Sequence, residues 1–176
     1  PSHGGGIGQL GFLSTNNGES VMWQKILSFL NGKRPDSGCL SNKAILVVDD
    51  GEQERRFISR SLEKIGCRVV TAANGEDALR LAREQCFHLV ILDFYLPGMK
   101  GKEICVGLKA DARTRDVPVI FLTGSASPTD LIDCYEAGAE YYLNKPISAD
   151  QLVKQVRLIF QDVAAEDLNC SCCSSS

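Results

Sequence analysis

Five short apolar runs, each followed by a helical pattern, constrain this chain more than any other feature of its 176 residues. Among them ILVV (45–48), LVIL (89–92) and VPVIFL (117–122) are apolar at successive positions, not at alternate ones. Strands of that kind have both faces covered, as in a parallel sheet between two layers of helices. The strands expected are Ala44–Val48, Arg68–Thr71, Leu89–Leu92, Val117–Leu122 and Glu140–Leu143. Between the first two, the stretch Gln53–Ile65 places Phe57, Ile58, Leu62 and Ile65 on one side of a helix and stops before Gly66, a suitable C′ residue. The stretches Gly75–Gln85, Lys102–Lys109, Thr129–Ala137 and Ser148–Asp162 follow the same logic, with Gly138 ending the fourth helix and Ser148 capping the last. This alternation predicts an α/β domain, a doubly wound five-stranded parallel sheet flanked by five helices.

Composition marks the borders of that domain. Residues 1–20 are rich in Gly, Ser and Asn and are expected to be flexible. Residues 21–30 (VMWQKILSFL) put Trp23, Ile26, Leu27 and Leu30 on one face, a short amphipathic helix before a turn-rich linker at 31–42. The α/β domain takes 43–162, and 163–176 form a Ser/Cys-rich tail expected to be disordered. Cys67, Cys86, Cys105 and Cys134 lie singly in apolar segments, where a free thiol behaves as a small buried hydrophobe, whereas Cys170, Cys172 and Cys173 cluster in the tail. A net charge of −3 gives no basic footprint for nucleic acid. No run approaches the roughly 20 apolar residues of a membrane span, and the first twenty residues do not read as a secretory signal. The expected location is cytoplasmic.

In an open parallel sheet, ligands bind at the carboxyl ends of the strands, where the strand order reverses. Strand one runs into Asp49-Asp50, strand three into Asp93, strand four into Thr123, and strand five is followed by Lys145-Pro146. Three carboxylates, a hydroxyl and an ammonium are thus expected on one edge. Clustered carboxylates repel one another unless a cation sits among them, and a hard divalent ion with oxygen preference answers that need. A carboxylate can also attack phosphorus, and metal and ammonium together would neutralise the charge of a transferring phosphoryl group. Taken singly, each residue has a plainer reading: helix cap, β-branched strand residue or solvated cation. Their order along successive strand ends favours the joint one. His3 and His88 have no such support, and His88, placed just before a strand, reads as structural.

The set resembles the response-regulator receiver family over residues 43 to 162: an acidic pair (Asp49, Asp50), an acceptor (Asp93), Thr123 and Lys145 with Pro146. ANGEDAL (73–79), PGMKG (97–101) and AGAEYYLNKP (137–146) agree with it. The resemblance implies a flavodoxin-like receiver fold and Mg2+ held by Asp50, Asp93 and the backbone carbonyl of Tyr95, with Asp49 acting through water. It further implies phosphoryl transfer to Asp93 from a histidine kinase or histidine phosphotransfer protein, with self-catalysed phosphorylation and dephosphorylation in a signalling domain rather than an enzyme. Thr123 and Tyr142 would be the switch pair. Gly124, Ile147 and Lys100 depart from common family choices without removing a ligand, and Tyr95 stands where side chains tune phosphoryl lifetime.

Two rivals fit less well. An aspartyl-phosphate phosphohydrolase resembles chains with DxD after the first strand, a spacing that Asp49-Asp50-Gly51 lacks. A flavodoxin-like electron carrier wants a Ser/Thr/Gly phosphate cradle there, and GEQERR (51–56) is not one. Arg56, Phe57 and Ile58 are candidate contacts for the phosphoryl donor. The output stays open between a stand-alone receiver that docks to a target or forms a homodimer and a fragment of a longer regulator or hybrid histidine kinase. Residues 21–30 are either a stabilising appendage or a dimerisation helix.

Overall fold

Residues whose neighbours along the chain are also apolar end up at the centre of the sheet. In the computed structural model, which describes residues 40–124 and 127–164, strands β1 (Ala44–Val48), β3 (Leu89–Asp93) and β4 (Val119–Thr123) are buried at every position. Strands β2 (Arg68–Ala72) and β5 (Tyr141–Asn144) are less apolar, only partly buried, and form the two edges. All pairings are parallel, in the order β2-β1-β3-β4-β5. The chain steps from β1 to one side and returns to continue on the other, so the order reverses between β1 and β3. That reversal opens a crevice beside their carboxyl ends.

Five helices cover the sheet: α1 (Glu52–Glu63), α2 (Gly75–Glu84), α3 (Gly101–Ala110), α4 (Pro128–Glu136) and α5 (Ala149–Ala164). The two-residue period of a strand divides the core. Leu46, Val48, Val90, Leu92, Val119 and Phe121 pack with Ala78 of α2, Ile104 and Leu108 of α3 and Cys134 of α4. Ile45, Val47, Leu89, Ile91, Ile120 and Leu122 pack on the other face with Ile58 and Leu62 of α1 and Leu152, Val156 and Ile159 of α5.

The helix ends reflect the chemistry of their sequence. Asn74 caps α2 by accepting from the Asp77 N–H at 2.8 Å. At α5, Ser148 Oγ accepts from Gln151 N at 3.2 Å while Gln151 Oε1 accepts from Ser148 N at 3.1 Å, a reciprocal capping box. Beyond α1, Gly66 has φ of 93°, and the N–H groups of Gly66 and Cys67 donate to the carbonyls of Glu63 and Leu62. This is the Schellman closure its position predicts.

The boundaries differ from the sequence expectation where a specific group decides them. Pro118 has no N–H for the ladder, so β4 starts at Val119, two residues later than expected. Glu140 does not open β5; its carboxylate accepts instead from Val119 N at 2.8 Å and from Lys109 Nζ at 2.5 Å. At the other end, β3 and β4 run one residue further than expected, so that Asp93 and Thr123 are strand residues. Cys67, Cys105 and Cys134 are buried as expected, but Cys86 is only half-buried. Among the described residues no helix is long and apolar enough to cross a membrane. The expectations for residues 1–39, including the amphipathic helix at 21–30, and for the Cys-containing tail lie outside the described residues.

Candidate functional site

Residues at the carboxyl ends of β1 and β3 line the crevice at the strand-order reversal. Asp49 is 1% exposed and extends β1's pairing by donating its N–H to the Ala72 carbonyl at 3.2 Å. Its Oδ1 accepts from Gly51 N at 2.8 Å, and its carbonyl accepts from Arg55 Nη1 at 2.6 Å. Asp50, the next residue, is exposed. Asp93, the last residue of β3, is 6% exposed, and its Oδ1 accepts from Tyr95 N at 3.1 Å. Carboxylate oxygens of Asp49, Asp50 and Asp93 lie within 4.8 Å of one another.

Lys145 reaches into this group from the loop after β5. Its backbone N–H donates to the Thr123 carbonyl at 2.7 Å, and its peptide bond to Pro146 is cis. Its Nζ stands 2.7 Å from Asp49 Oδ2 and 2.6 Å from Asp93 Oδ2, one ammonium shared by two buried carboxylates. Thr123, at the end of β4, is fully buried. Helix α3 can begin close by only because residue 101 is glycine: a Cβ there would lie 2.5 Å from the Asp93 carbonyl oxygen and 2.9 Å from Phe94 Cα.

The electrostatics arise from that crowding. Burial raises the Asp93 pKa above the ordinary carboxylate value, and the nearby Asp49 charge adds to the rise, while the hydrogen bonds from Lys145 and Tyr95 N oppose it. For Lys145, burial works against the charged form, but its two carboxylate partners outweigh that and hold its pKa above the usual lysine value. With three carboxylates and one ammonium the cluster still carries excess negative charge. Together Asp49, Asp50 and Asp93 could hold a metal ion, and the oxygen-only donor set suits a hard divalent cation.

The sequence-based set therefore comes together: Asp49, Asp50, Asp93 and Lys145 share one cluster, with Thr123 beside it. Tyr142 lies on β5 opposite Phe121, half-buried against the α4-side core, and burial raises its pKa. His88 is structural, as expected: its Nδ1 accepts from Ala44 N at 3.1 Å at the amino ends of the central strands, and burial lowers its pKa. Of the candidate donor contacts, Phe57 is 41% exposed and Arg56 is paired with Glu52 on the surface. Ile58 is 2% exposed and belongs to the core. It lines the inner part of a groove of about 520 Å³ shared with Phe57, Leu122, Lys145, Pro146 and Ile147. Arg55 on the Asp49 carbonyl and Asp130 on the Tyr95 hydroxyl, at 2.6 Å each, belong to the site's surroundings but carry no signal in the sequence pattern.

Residues 45–157 match the family model described as the response regulator receiver domain. The chain belongs to the response regulator receiver family. This receiver is 36% identical over 118 residues to the transcriptional regulatory protein AfsQ1 of Streptomyces coelicolor, covering 67% of this chain and 51% of that one. It is 33% identical over 150 residues to the sensor histidine kinase AruS of Pseudomonas aeruginosa, covering 82% of this chain and 15% of that one. Among solved structures, the chemotaxis protein CheY4 of Vibrio cholerae superposes with a TM-score of 0.65 at 30% identity, covering 66% of this chain and 98% of that one. The chain thus spans about half the length of AfsQ1 and a small part of AruS. It is a receiver domain of two-component signalling, and the doubly wound sheet with its five helices is the CheY-like fold.

Proposed function

We propose that this receiver takes a phosphoryl group on Asp93 from a histidine kinase or a histidine phosphotransfer protein, and that the phosphorylated form docks to a downstream target or a second copy of itself. The observation that carries this reading is the shared ammonium, with Lys145 Nζ 2.6 Å from Asp93 and 2.7 Å from Asp49. An unphosphorylated acceptor needs a counter-charge that can stay in place when a dianion arrives, and Lys145 is positioned to provide it.

In the transfer, an Oδ of Asp93 forms the new bond to phosphorus. The P–N bond to the donor imidazole breaks, and the imidazole nitrogen leaves with the electron pair. Asp50, Asp93 and the Tyr95 carbonyl, with Asp49 acting through water, would hold Mg2+. Bound there, the ion would supply neutralisation of the equatorial phosphoryl oxygens. Lys145 stabilises charge on the same oxygens, and the Thr123 hydroxyl donates to one of them once the group is attached. Tyr142, opposite Phe121 on β5 and two residues before Asn144, the partner of Thr123, would follow that movement as the switch residue. The groove beside Phe57 and Ile147 opens next to Lys145 and suits the donor's approach.

Incubation with acetyl phosphate and Mg2+, followed by a phosphate-affinity gel, should give a retarded band that is absent in Asp93→Asn. An unshifted wild-type band, or a shift that persists in Asp93→Asn, would contradict the assignment.

A further inference from the structure

Tyr95 does two things at once. Its N–H donates to Asp93 Oδ1 at 3.1 Å, and its hydroxyl donates to Asp130 Oδ2 at 2.6 Å. The two ends belong to different connections. Tyr95 sits in the loop between β3 and α3, just after Asp93, while Asp130 sits in the first turn of α4, in the segment that comes after Thr123. Strands β3 and β4 are neighbours, with Asp93 opposite Leu122, so these two connections flank the acceptor on adjacent strand ends. Tyr95 is 54% exposed, yet Asp130 is only 9% exposed. An acidic residue in a first helical turn ordinarily faces the helix N-terminus, a role that requires neither burial nor a tyrosine. A buried carboxylate does require a donor, and Tyr95 is one. The Tyr95 ring is itself steadied by an edge-on contact with Phe94 at 5.0 Å, and Phe94 meets Phe121 of β4 at 5.5 Å.

We propose that Asp130 is a positioning residue for phosphoryl transfer at Asp93: through Tyr95 it ties the β3–α3 loop to α4 and sets how freely a donor or water reaches the acceptor. This role rests on the phosphoacceptor reading of Asp93. With the tie intact, the backbone N–H of Tyr95 stays on the acceptor carboxylate, and the β3–α3 loop and the first turn of α4 move together. With it broken, each moves alone and the acceptor is more open.

The test measures gain and loss of the phosphoryl group on the full chain, with acetyl phosphate and Mg2+, in wild type, Tyr95→Phe, Asp130→Ala, Asp130→Asn and the double variant Tyr95→Phe/Asp130→Ala. Tyr95→Phe and Asp130→Ala should each raise both rates, up to about tenfold, the size expected from losing one hydrogen bond to a charged group. The double variant should go no further than either single change. Asp130→Asn should remain near wild type, because an amide oxygen still accepts from the tyrosine but no longer carries charge towards the helix terminus. Additive single effects, unchanged rates, or Asp130→Asn as altered as Asp130→Ala would overturn the tie. Should Asp130→Ala fail to fold in a thermal melt, Tyr95→Phe and Asp130→Asn still decide. Absence of phosphorylation at Asp93 in wild type would instead remove the phosphoacceptor reading itself, whereas a phosphorylated wild type with flat variants removes only the tie.

Discussion

Lys145→Met keeps a side chain of similar length but removes the ammonium that two buried carboxylates share. Asp49 and Asp93, at 1% and 6% exposure, would then face each other without a counter-charge. Removing one partner of a buried pair typically costs about 3–5 kcal/mol. The Lys145 side chain is 24% exposed, so water screens part of the interaction and the expected loss is nearer about 2–3 kcal/mol. For a domain of this size that is a fall of roughly 8–12 °C in Tm. The measurement is thermal unfolding by circular dichroism in the presence of a chelator, over a range of pH.

The sign of the pH dependence is set by the direction of each shift. The Asp93 pKa is raised by burial and should rise further without Lys145, so between the unfolded carboxylate value of about 3.9 and the folded value the native state binds more protons than the unfolded one. Stability of the variant therefore falls as pH rises through that window, and its deficit should shrink towards about pH 4. At the alkaline end, the Lys145 pKa is also raised, so its contribution is complete below the unfolded value of about 10.4 and disappears as pH climbs through the folded value. Wild type and variant should differ most on the plateau between. Equal melting temperatures at neutral pH, or a deficit that persists unchanged into acid, would refute this account of the pair.

Other changes probe the frame around the site. Gly101→Ala forces a methyl group to 2.5 Å from the Asp93 carbonyl and should lower stability by about 1–3 kcal/mol in urea titration while slowing phosphorylation of Asp93. Asn74→Ala removes the cap of α2 and should cost about 1 kcal/mol, read as a lower urea midpoint with an unchanged slope. Burial pushes the Cys105 thiol up to about 12 and the Cys134 thiol up to about 11. Both should resist iodoacetamide in the native state, with half-buried Cys86 alkylated before either, as read by peptide mass spectrometry.

The three central strands were legible because burial on both faces leaves an uninterrupted apolar run. The acidic cluster was legible for a related reason. Once the strands are placed, a parallel sheet delivers Asp49, Asp50, Asp93 and Lys145 to one edge without any knowledge of side-chain contacts. What stayed hidden depends on contacts between segments far apart in the chain. The Tyr95–Asp130 bond and the use of the Glu140 carboxylate to hold the start of β4 give no periodic signal. Ile58 shows the limit of a helical pattern, which names an apolar side but not which of its residues remain at the surface.

Because Asp93 pairs with Leu122, and Thr123 with Asn144, inside the sheet ladder, the spacing between the Asp93 carboxylate and the Thr123 hydroxyl is inherited from backbone register rather than set by the loops. A single inserted residue within β3 would turn Asp93 towards the opposite helical layer and carry apolar side chains out of their own. Changes of length in the connections at the amino ends of the strands, away from Tyr95, Gly101 and Lys145, meet no such penalty, which leaves that side of the domain free to diverge around a fixed cluster.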